Sequence, residues 1–172
     1  MPLFLLKYYI NEKDFSDCTT LFGGMTKNDD EKDIGSYIKI LGRWTSVGSS
    51  FGFCICHSSS SSELHKWLLN WSHMARIECN PVVDDNSARK IILKSEPSFT
   101  VDYSNVGTSE EEIGNEESLY VIEYKFIDSK RCEGYNLFAN MTEQQDDEDS
   151  GLNIRKLGRW HNLGNGTGIA IC

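Results

Sequence analysis

Two stretches of this chain decide the fold: 41-LGRWTSVGSSFGFCIC-56 and 157-LGRWHNLGNGTGIAIC-172. Both open with the same four residues, 116 positions apart. With that offset held fixed, residues 3–56 (the first segment) align without a gap with residues 119–172 (the second segment), and about a third of the positions are identical. An identical run of four within a gapless alignment indicates a tandem duplication.

Each segment begins with an apolar stretch of strand length, Leu3–Ile10 and Leu119–Ile127, rich in residues that favour β-structure. Apolar residues then recur at helical spacing, which predicts a helix near residues 14–26 and another near 130–142.

The acidic runs that follow, Asn28–Asp33 and Gln144–Asp149, are interpreted as solvated surface loops, with cation binding as the alternative. Ser36–Val47 and Gly52–His57 are then predicted to be two strands joined by a tight connection. The second segment has Gly-Asn-Gly-Thr in the corresponding connection, and Asn-Gly is typical of a hairpin turn.

The first segment continues into an amphipathic helix. Ser60 and Glu63 fit a capping box, and the helix then repeats apolar residues at i, i+3, i+4 and i+7: Leu64, Trp67, Leu68, Trp71 and Met74. Trp67 and Trp71 either pack in the core or line a cavity between helix and sheet. A strand over Arg76–Val83 follows, and then a short helix, capped by Asp85 or Ser87, that runs through Leu93.

This order, β-α-β-β-α-β, predicts an α+β protein of ferredoxin-like architecture. We expect a complete repeat over residues 1–97, an acidic linker over 98–118 and an incomplete second repeat, β-α-β-β, over 119–172. Pairing the two sheets face to face would bury their bare faces. The first strand of the second repeat is then an open edge, which we expect to be covered by Phe99–Tyr103, a possible extra strand, or by another chain.

Composition excludes several classes of protein. The net charge of −9 argues against nucleic-acid binding, which needs clustered lysine and arginine. No apolar run reaches the ~18–20 residues of a membrane span, and the N-terminus lacks the order of a signal peptide. A cytoplasmic protein with reduced thiols is therefore expected, since none of the six cysteines has a CxxC spacing.

The LGRW stretches carry a resemblance. Leu157-Gly158-Arg159-Trp160-His161-Asn162, followed by Gly164, Gly166 and Gly168, resembles the signature of small uncharacterised ferredoxin-like domains of unknown function, met in marine photosynthetic bacteria and their phages. The first segment departs from this signature, with Thr45 at the His position. The family is similar in fold to the dimeric α/β barrels, which include cofactor-free monooxygenases, small isomerases and haem-handling enzymes. This analogy alone assigns no function.

The LGRW arginines are the first candidates for ligand contact. Strand alternation predicts Ile38, Ile40 and Trp44 on one face and Arg43 on the other. If the face that carries Arg43 and Arg159 lines a barrel, these arginines would hold an anionic or carbonyl-bearing ligand. Otherwise each pairs with an acid. The tryptophans beside them, Trp44 and Trp160, and the equivalent Tyr8 and Tyr124 are further ligand-binding candidates.

His161 lies on the face of Arg159 and would serve as a general base if a pocket lies there, although no acid is assigned to orient it. The alternative is a polar residue at a hairpin end. The Cys54-x-Cys56-His57 stretch offers a weaker idea, a metal site, but strand geometry turns His57 away from the two thiols, which favours buried apolar cysteines.

No catalytic motif is recognised. The sequence therefore favours a small-ligand-binding or interaction module without catalysis or cofactor, with a possible homodimer that completes the second repeat. The alternative is a cofactor-free barrel enzyme, monooxygenase- or isomerase-like, that acts on a small apolar or aromatic substrate.

Overall fold

A computed structural model describes residues 1–46, 48–101, 118–151 and 153–172 of the chain. The described residues form a mixed α and β protein whose paired strands are antiparallel. The chain divides into two compact units, Met1–Pro81 and Val82–Cys172. The predicted α+β class is therefore confirmed.

The first unit contains four strands and three helices in its described residues. In chain order they are β1 (Leu3–Ile10), α1 (Phe15–Gly24), α2 (Lys27–Ile34), β2 (Ile38–Ser46), β3 (Phe51–Ser58), α3 (Ser61–Trp71) and β4 (Ala75–Asp84), whose last residues belong to the second unit. The strands neighbour one another in the order β2-β3-β1-β4.

The second unit adds α4 (Asp85–Leu93), β5 (Val121–Lys125), α5 (Arg131–Asn140), α6 (Glu143–Ser150), β6 (Gly158–Asn162) and β7 (Thr167–Ile171). Its strands follow the order β6-β7-β5, and Val83 and Asp84 at the end of β4 pair with β6. The order β6-β7-β5 repeats the order β2-β3-β1 of the first unit.

The acidic runs are helices rather than the predicted loops. Thr26 accepts a hydrogen bond from the backbone of Asp29, whose side chain accepts one from the Thr26 backbone. Thr142 and Gln145 form the same capping box on α6. These caps satisfy amide groups at the first turn and so begin a helix that has no apolar face to signal it.

The core of the first unit lies between the sheet and helices α1 and α3. Ser60 caps α3 by accepting a hydrogen bond from the Glu63 backbone, while the Glu63 side chain pairs with Lys66 rather than completing the predicted capping box. Leu64 and Trp67 of this helix are buried against Leu6 and Ile38 of the sheet. The apolar periodicity of α3 thus identifies a helix whose tryptophan face packs on the strands.

Residues 99–101, the described part of the segment that was expected to cover the open edge, lie elsewhere. Val101 exchanges two hydrogen bonds of 2.8 Å with the Asn86 side chain on α4, and Phe99 stacks on Arg89 of the same helix. No strand in the described part of the chain pairs with the outer edge of β5. Tyr103 and most of the predicted linker lie outside the described residues, and coverage by another chain stays a prediction.

Candidate functional site

The first unit encloses a cavity of about 90 Å³ between its sheet and helices α1 and α3, which we call the first-unit cavity. Its walls are almost entirely apolar because α1 and α3 turn their hydrophobic faces towards the strands. The apolar side chains that line it include Leu6, Ile10, Phe22, Trp67, Leu68, Trp71 and Ile77.

Four polar side chains line the same cavity: Tyr8, Thr19, Arg43 and Thr45. The Tyr8 hydroxyl donates to the Trp44 carbonyl at 3.0 Å and lies 2.6 Å from the Thr45 hydroxyl. Burial raises the pKa of Tyr8, so the phenol stays protonated and keeps its hydrogen bond to the Trp44 carbonyl. Arg43 stacks over the Phe22 ring at 4.3 Å and pairs with Asp30 at 2.8 Å.

The face assignment made from strand alternation is wrong. The pairing of β2 with β3 shifts at Leu41, so that Ile40 pairs with Cys56 and Arg43 with Cys54. One extra residue in a strand reverses the alternation beyond it. Arg43 therefore shares the helix-covered face with Ile38 and Ile40.

Trp44 lies on the opposite face, and so does Trp160 in the second unit. Each ring lies over the glycine two residues before it, where an added Cβ would collide with the indole. This close approach explains why a glycine stands two residues before the tryptophan in both segments. Neither Trp44 nor Trp160 lines the first-unit cavity or the large groove of the second unit, although both were candidates for ligand contact.

A buried charged cluster occupies the second unit, and we call it the Asp85 cluster: Asp85, Arg89, Asp146, Lys156, Arg159 and His161. Arg159 donates two hydrogen bonds to Asp85, at 2.7 and 2.8 Å, and a third to Asp146 at 2.8 Å. Such a bidentate contact fixes the guanidinium plane.

Two more cations complete the cluster. Arg89 donates to the Phe138 carbonyl at 2.7 Å and is held between the rings of Phe99 and Phe138. Lys156 forms an ion pair with Asp146. Two buried carboxylates thus meet three cations, which satisfies the charge of both acids where water is excluded.

His161 connects this cluster to a tyrosine. Its Nε2 lies 2.7 Å from an Asp85 carboxylate oxygen, and its Nδ1 is hydrogen-bonded to the Tyr124 hydroxyl. Because Asp85 only accepts, Nε2 carries the proton, and in the neutral imidazole Nδ1 then accepts from the phenol. The acid that sequence analysis left unassigned is therefore Asp85, which lies 76 residues before the histidine.

The electrostatics follow from burial and these contacts. Burial alone would raise the pKa of Asp85, but hydrogen bonds from His161 and Arg159 hold it below its ordinary range. Burial would likewise lower the pKa of Arg159, but hydrogen bonds to Asp85 and Asp146 raise it. For Arg89 burial dominates and lowers the pKa.

A groove with a volume of about 960 Å³ opens over Tyr124 and His161, and we call it the second-unit groove. Its sheet side includes Ile122 and Ala170. Its helical side comes from α5 and α6, and its acidic rim includes Glu148 and Asp149. The groove is far larger than the first-unit cavity and lies above a buried hydrogen-bond chain.

Sequence analysis proposed seven candidate residues, and five of them line these two spaces. Tyr8 and Arg43 meet in the first-unit cavity, and Tyr124, Arg159 and His161 meet in the second-unit groove. It missed Asp85, read only as a helix cap, and Asp146. One signal was present, since Asp30 and Asp146 lie at equivalent positions of the two segments and each pairs with an LGRW arginine.

The cysteines are all free thiols. Cys54 and Cys56 are buried beside β1, whereas the His57 ring lies 3.2 Å from the Met1 carbonyl. A hydrogen bond with Cys56, together with burial, raises the pKa of Cys54. No group of three or more His, Cys, Asp or Glu side chains arranged to hold a metal ion occurs among the described residues.

No helix in the part of the chain that the structure describes combines the length and apolar character needed to cross a membrane.

The fold and these sites define an α+β protein of two units, with an apolar cavity in one and a buried charged cluster in the other. A family model described as a domain of unknown function (DUF3303) matches residues 2–96, which is more than half of the chain. The chain belongs to this family. No curated protein and no solved structure matches it.

Proposed function

We propose that the protein is a small-ligand-binding module without catalysis and that the first-unit cavity is its binding site. The observation that carries this proposal is an apolar enclosure with polar groups at one place, Tyr8, Thr45 and Arg43. Ligand sites commonly combine apolar walls with a few convergent polar groups. An apolar cavity of ~150 Å³ accepts benzene, so a volume of about 90 Å³ suits a ligand smaller than benzene.

The chemistry of the cavity narrows the ligand class. Two aromatic indoles and aliphatic side chains favour an apolar body. The Tyr8 hydroxyl proton is taken by the Trp44 carbonyl, so the Arg43 guanidinium supplies the positive charge and the donors. A short branched chain with one carbonyl or carboxylate satisfies these requirements.

The fold and assembly belong to the same proposal. The order β2-β3-β1-β4 with helices between the strands is the order of a ferredoxin-like domain, and the repetition of β2-β3-β1 as β6-β7-β5 supports a tandem duplication. A homodimer and face-to-face sheets, as in dimeric α/β barrels, remain part of the proposal. Six free thiols suit a cytoplasmic protein.

Filling the cavity tests the binding proposal. Leu68 lines it, whereas its neighbour Leu69 is exposed. We expect Leu68→Phe to abolish the change in tryptophan fluorescence caused by a short branched carboxylate such as isobutyrate, and the matched control Leu69→Phe to retain it. Native mass spectrometry of the freshly purified chain should show an adduct that is absent from Leu68→Phe. Equal binding by both variants would refute this site.

A second candidate function rests on the Asp85–His161–Tyr124 chain. Asp85 orients the imidazole, and the imidazole accepts the phenolic proton, so Tyr124 would act as a general acid and base towards a substrate in the second-unit groove. This arrangement favours cofactor-free proton transfer at carbon next to a carbonyl.

Deuterium exchange into small ketones and aryl ketones, followed by NMR in D2O, tests this candidate. We expect exchange by the intact chain, its loss in Tyr124→Phe and its retention in Tyr8→Phe, the equivalent substitution in the first unit. Exchange that survives Tyr124→Phe would contradict the assignment.

A further inference from the structure

The second-unit groove lies over the surface that α3 covers in the first unit. In the first unit, Leu6 on β1 and Ile38 on β2 are buried in a cluster with Leu64 and Trp67 of α3. The positions equivalent to these two sheet residues are Ile122 and Ile154, and both line the groove.

Exposure of the equivalent side chains measures the difference. Leu6 is 2% exposed and Ile122 is 46% exposed, while Ile38 is 8% exposed and Ile154 is 45% exposed. The contrast is specific to this face, since Leu21 and Leu137, another equivalent pair, are exposed in both units at 50% and 70%. The second unit therefore presents the apolar floor on which the first unit seats a helix.

A polar anchor is repeated as well. In the first unit, the Asp33 carboxylate accepts hydrogen bonds from the indole N–H groups of Trp67, at 2.7 Å, and Trp71, at 2.9 Å. Its equivalent, Asp149, lies on the rim of the groove and is exposed. The second unit thus keeps the acceptor that orients two tryptophans one helical turn apart.

Charge defines the remaining chemistry of an occupant. Helix α6, which forms the rim, carries five acidic residues and no basic ones. Asp146 is buried in the Asp85 cluster, and Glu148 and Asp149 line the groove. The same turns of α2 include two lysines. A rim of this charge favours an occupant with basic residues beside its apolar face.

We propose that the second-unit groove binds an amphipathic α-helix of a partner protein, about three turns long, with two aromatic residues one turn apart and basic flanks. The two aromatic side chains would cover Ile122 and Ile154, indole N–H groups would donate to Asp149, and basic side chains would face α6. Recognition of this kind places i and i+4 anchors in an apolar groove. The exposed apolar floor and the acidic rim, rather than the volume of about 960 Å³, favour a helix in this groove. The proposal does not depend on ligand binding in the first unit, and it competes with the proton-transfer candidate, which places a substrate in the same groove.

A peptide that copies α3 tests the groove. The probe is a fluorescein-labelled peptide of residues 60–73, SSSELHKWLLNWSH, in which Glu63→Lys and Asn70→Lys add basic residues. Fluorescence anisotropy with the full chain should report one site per chain. Loss of either tryptophan from the peptide should weaken binding by at least about tenfold, as for an aromatic anchor.

Substitutions in the protein locate the site. Ile122→Lys places a charge on the apolar floor and should weaken binding by more than about tenfold. Ile91→Lys is the matched control, because Ile91 is an exposed isoleucine on α4 outside the groove. It should leave the affinity unchanged. Asp149→Asn should weaken binding by about threefold or more, since it removes the charge from the indole acceptor.

Three results would overturn the proposal. One is no binding at about 1 mM protein, and another is binding that Ile122→Lys leaves intact. The third would identify a second copy of the chain as the occupant. In that case light scattering shows a dimer, Ile122→Lys abolishes the dimer, and the peptide does not bind. Ile122 and Ile91 are both exposed, so a lysine fits at either position. Circular dichroism of each variant verifies its fold.

Discussion

Arg43 and Arg159 occupy equivalent positions, and each pairs with an aspartate on the acidic helix of its own segment, Asp30 or Asp146. The first pair is partly open to water, with side-chain exposures of 23% and 27%. The second is buried and is joined by Asp85, Arg89 and Lys156. The same pairing is thus the centre of a buried network in one unit and a partly exposed ion pair in the other.

The tyrosines beside these arginines follow the same pattern. The Tyr8 hydroxyl contacts Thr45, and the Tyr124 hydroxyl contacts His161, which stands at the equivalent position. Replacing a hydroxyl by an imidazole extends the hydrogen-bond chain to Asp85. Equivalent positions therefore line a small apolar cavity in the first unit and a hydrogen-bond chain below a much larger groove in the second.

The largest expected effect comes from Asp85→Ala. Removal of this carboxylate leaves Arg159 and His161 without their buried acceptor, and breaking a buried charge pair costs about 3–5 kcal/mol. Asp30→Ala removes the equivalent surface contact and should cost about 0–1 kcal/mol. Hydrogen exchange followed by mass spectrometry measures each unit separately. Similar losses from both variants would contradict the contrast between the two pairs.

The next largest effect is expected from acid, which should lower the stability of the second unit. Hydrogen bonds and cations lower the pKa values of Asp85 and Asp146 below the ordinary aspartate range, although burial opposes this. A lowered folded-state pKa contributes stability that is present above the unfolded value, ~3.9, and is lost as pH falls towards the folded value. Amide protection of residues 158–171, extrapolated to a common pH, should decline below about pH 4. Protection that stays constant down to pH 2 would contradict the buried carboxylates.

Gly42→Ala and Gly158→Ala should each lower the free energy of unfolding by the same amount, and by less than Asp85→Ala does. In each segment a Cβ would collide with the indole two residues further on, and forcing such a ring aside costs about 1–3 kcal/mol. Gly48→Ala is the control, because its surroundings are open. Denaturant unfolding followed through tryptophan fluorescence measures the cost. A neutral Gly158→Ala would show that the close approach of Trp160 is not required.

Sequence reasoning located most strands and helices because their apolar periodicity is strong, as in α3 with Trp67 and Trp71. It missed α2 and α6 because an acidic run of eight residues has no apolar face, and only the caps at Thr26 and Thr142 mark its beginning. It placed Arg43 on the wrong face because one bulge residue, Leu41, reverses the alternation.

The candidate site was predictable only in part, for a related reason. The arginines and tyrosines recur at equivalent positions, so comparison of the two segments finds them. Asp85 has no equivalent in that comparison, and its contact with His161 spans 76 residues. Local pattern carries no information about such a contact, which depends on where α4 packs.

The two capping boxes offer the smallest test of the comparison. Thr26 and Thr142 each accept a hydrogen bond from the backbone three residues on, at 3.2 and 3.3 Å. Loss of a threonine cap costs about 1 kcal/mol, so Thr26→Ala and Thr142→Ala should each lower the stability of their own unit by this amount, measured by hydrogen exchange. Thr142→Ser should retain it, because serine supplies the same acceptor. Helix α6 also supplies Asp146 to the buried cluster. If Thr142→Ala lowers stability clearly more than Thr26→Ala, the excess therefore measures how strongly α6 is coupled to Arg159. In the first unit the corresponding contact, between Asp30 and Arg43, is partly exposed.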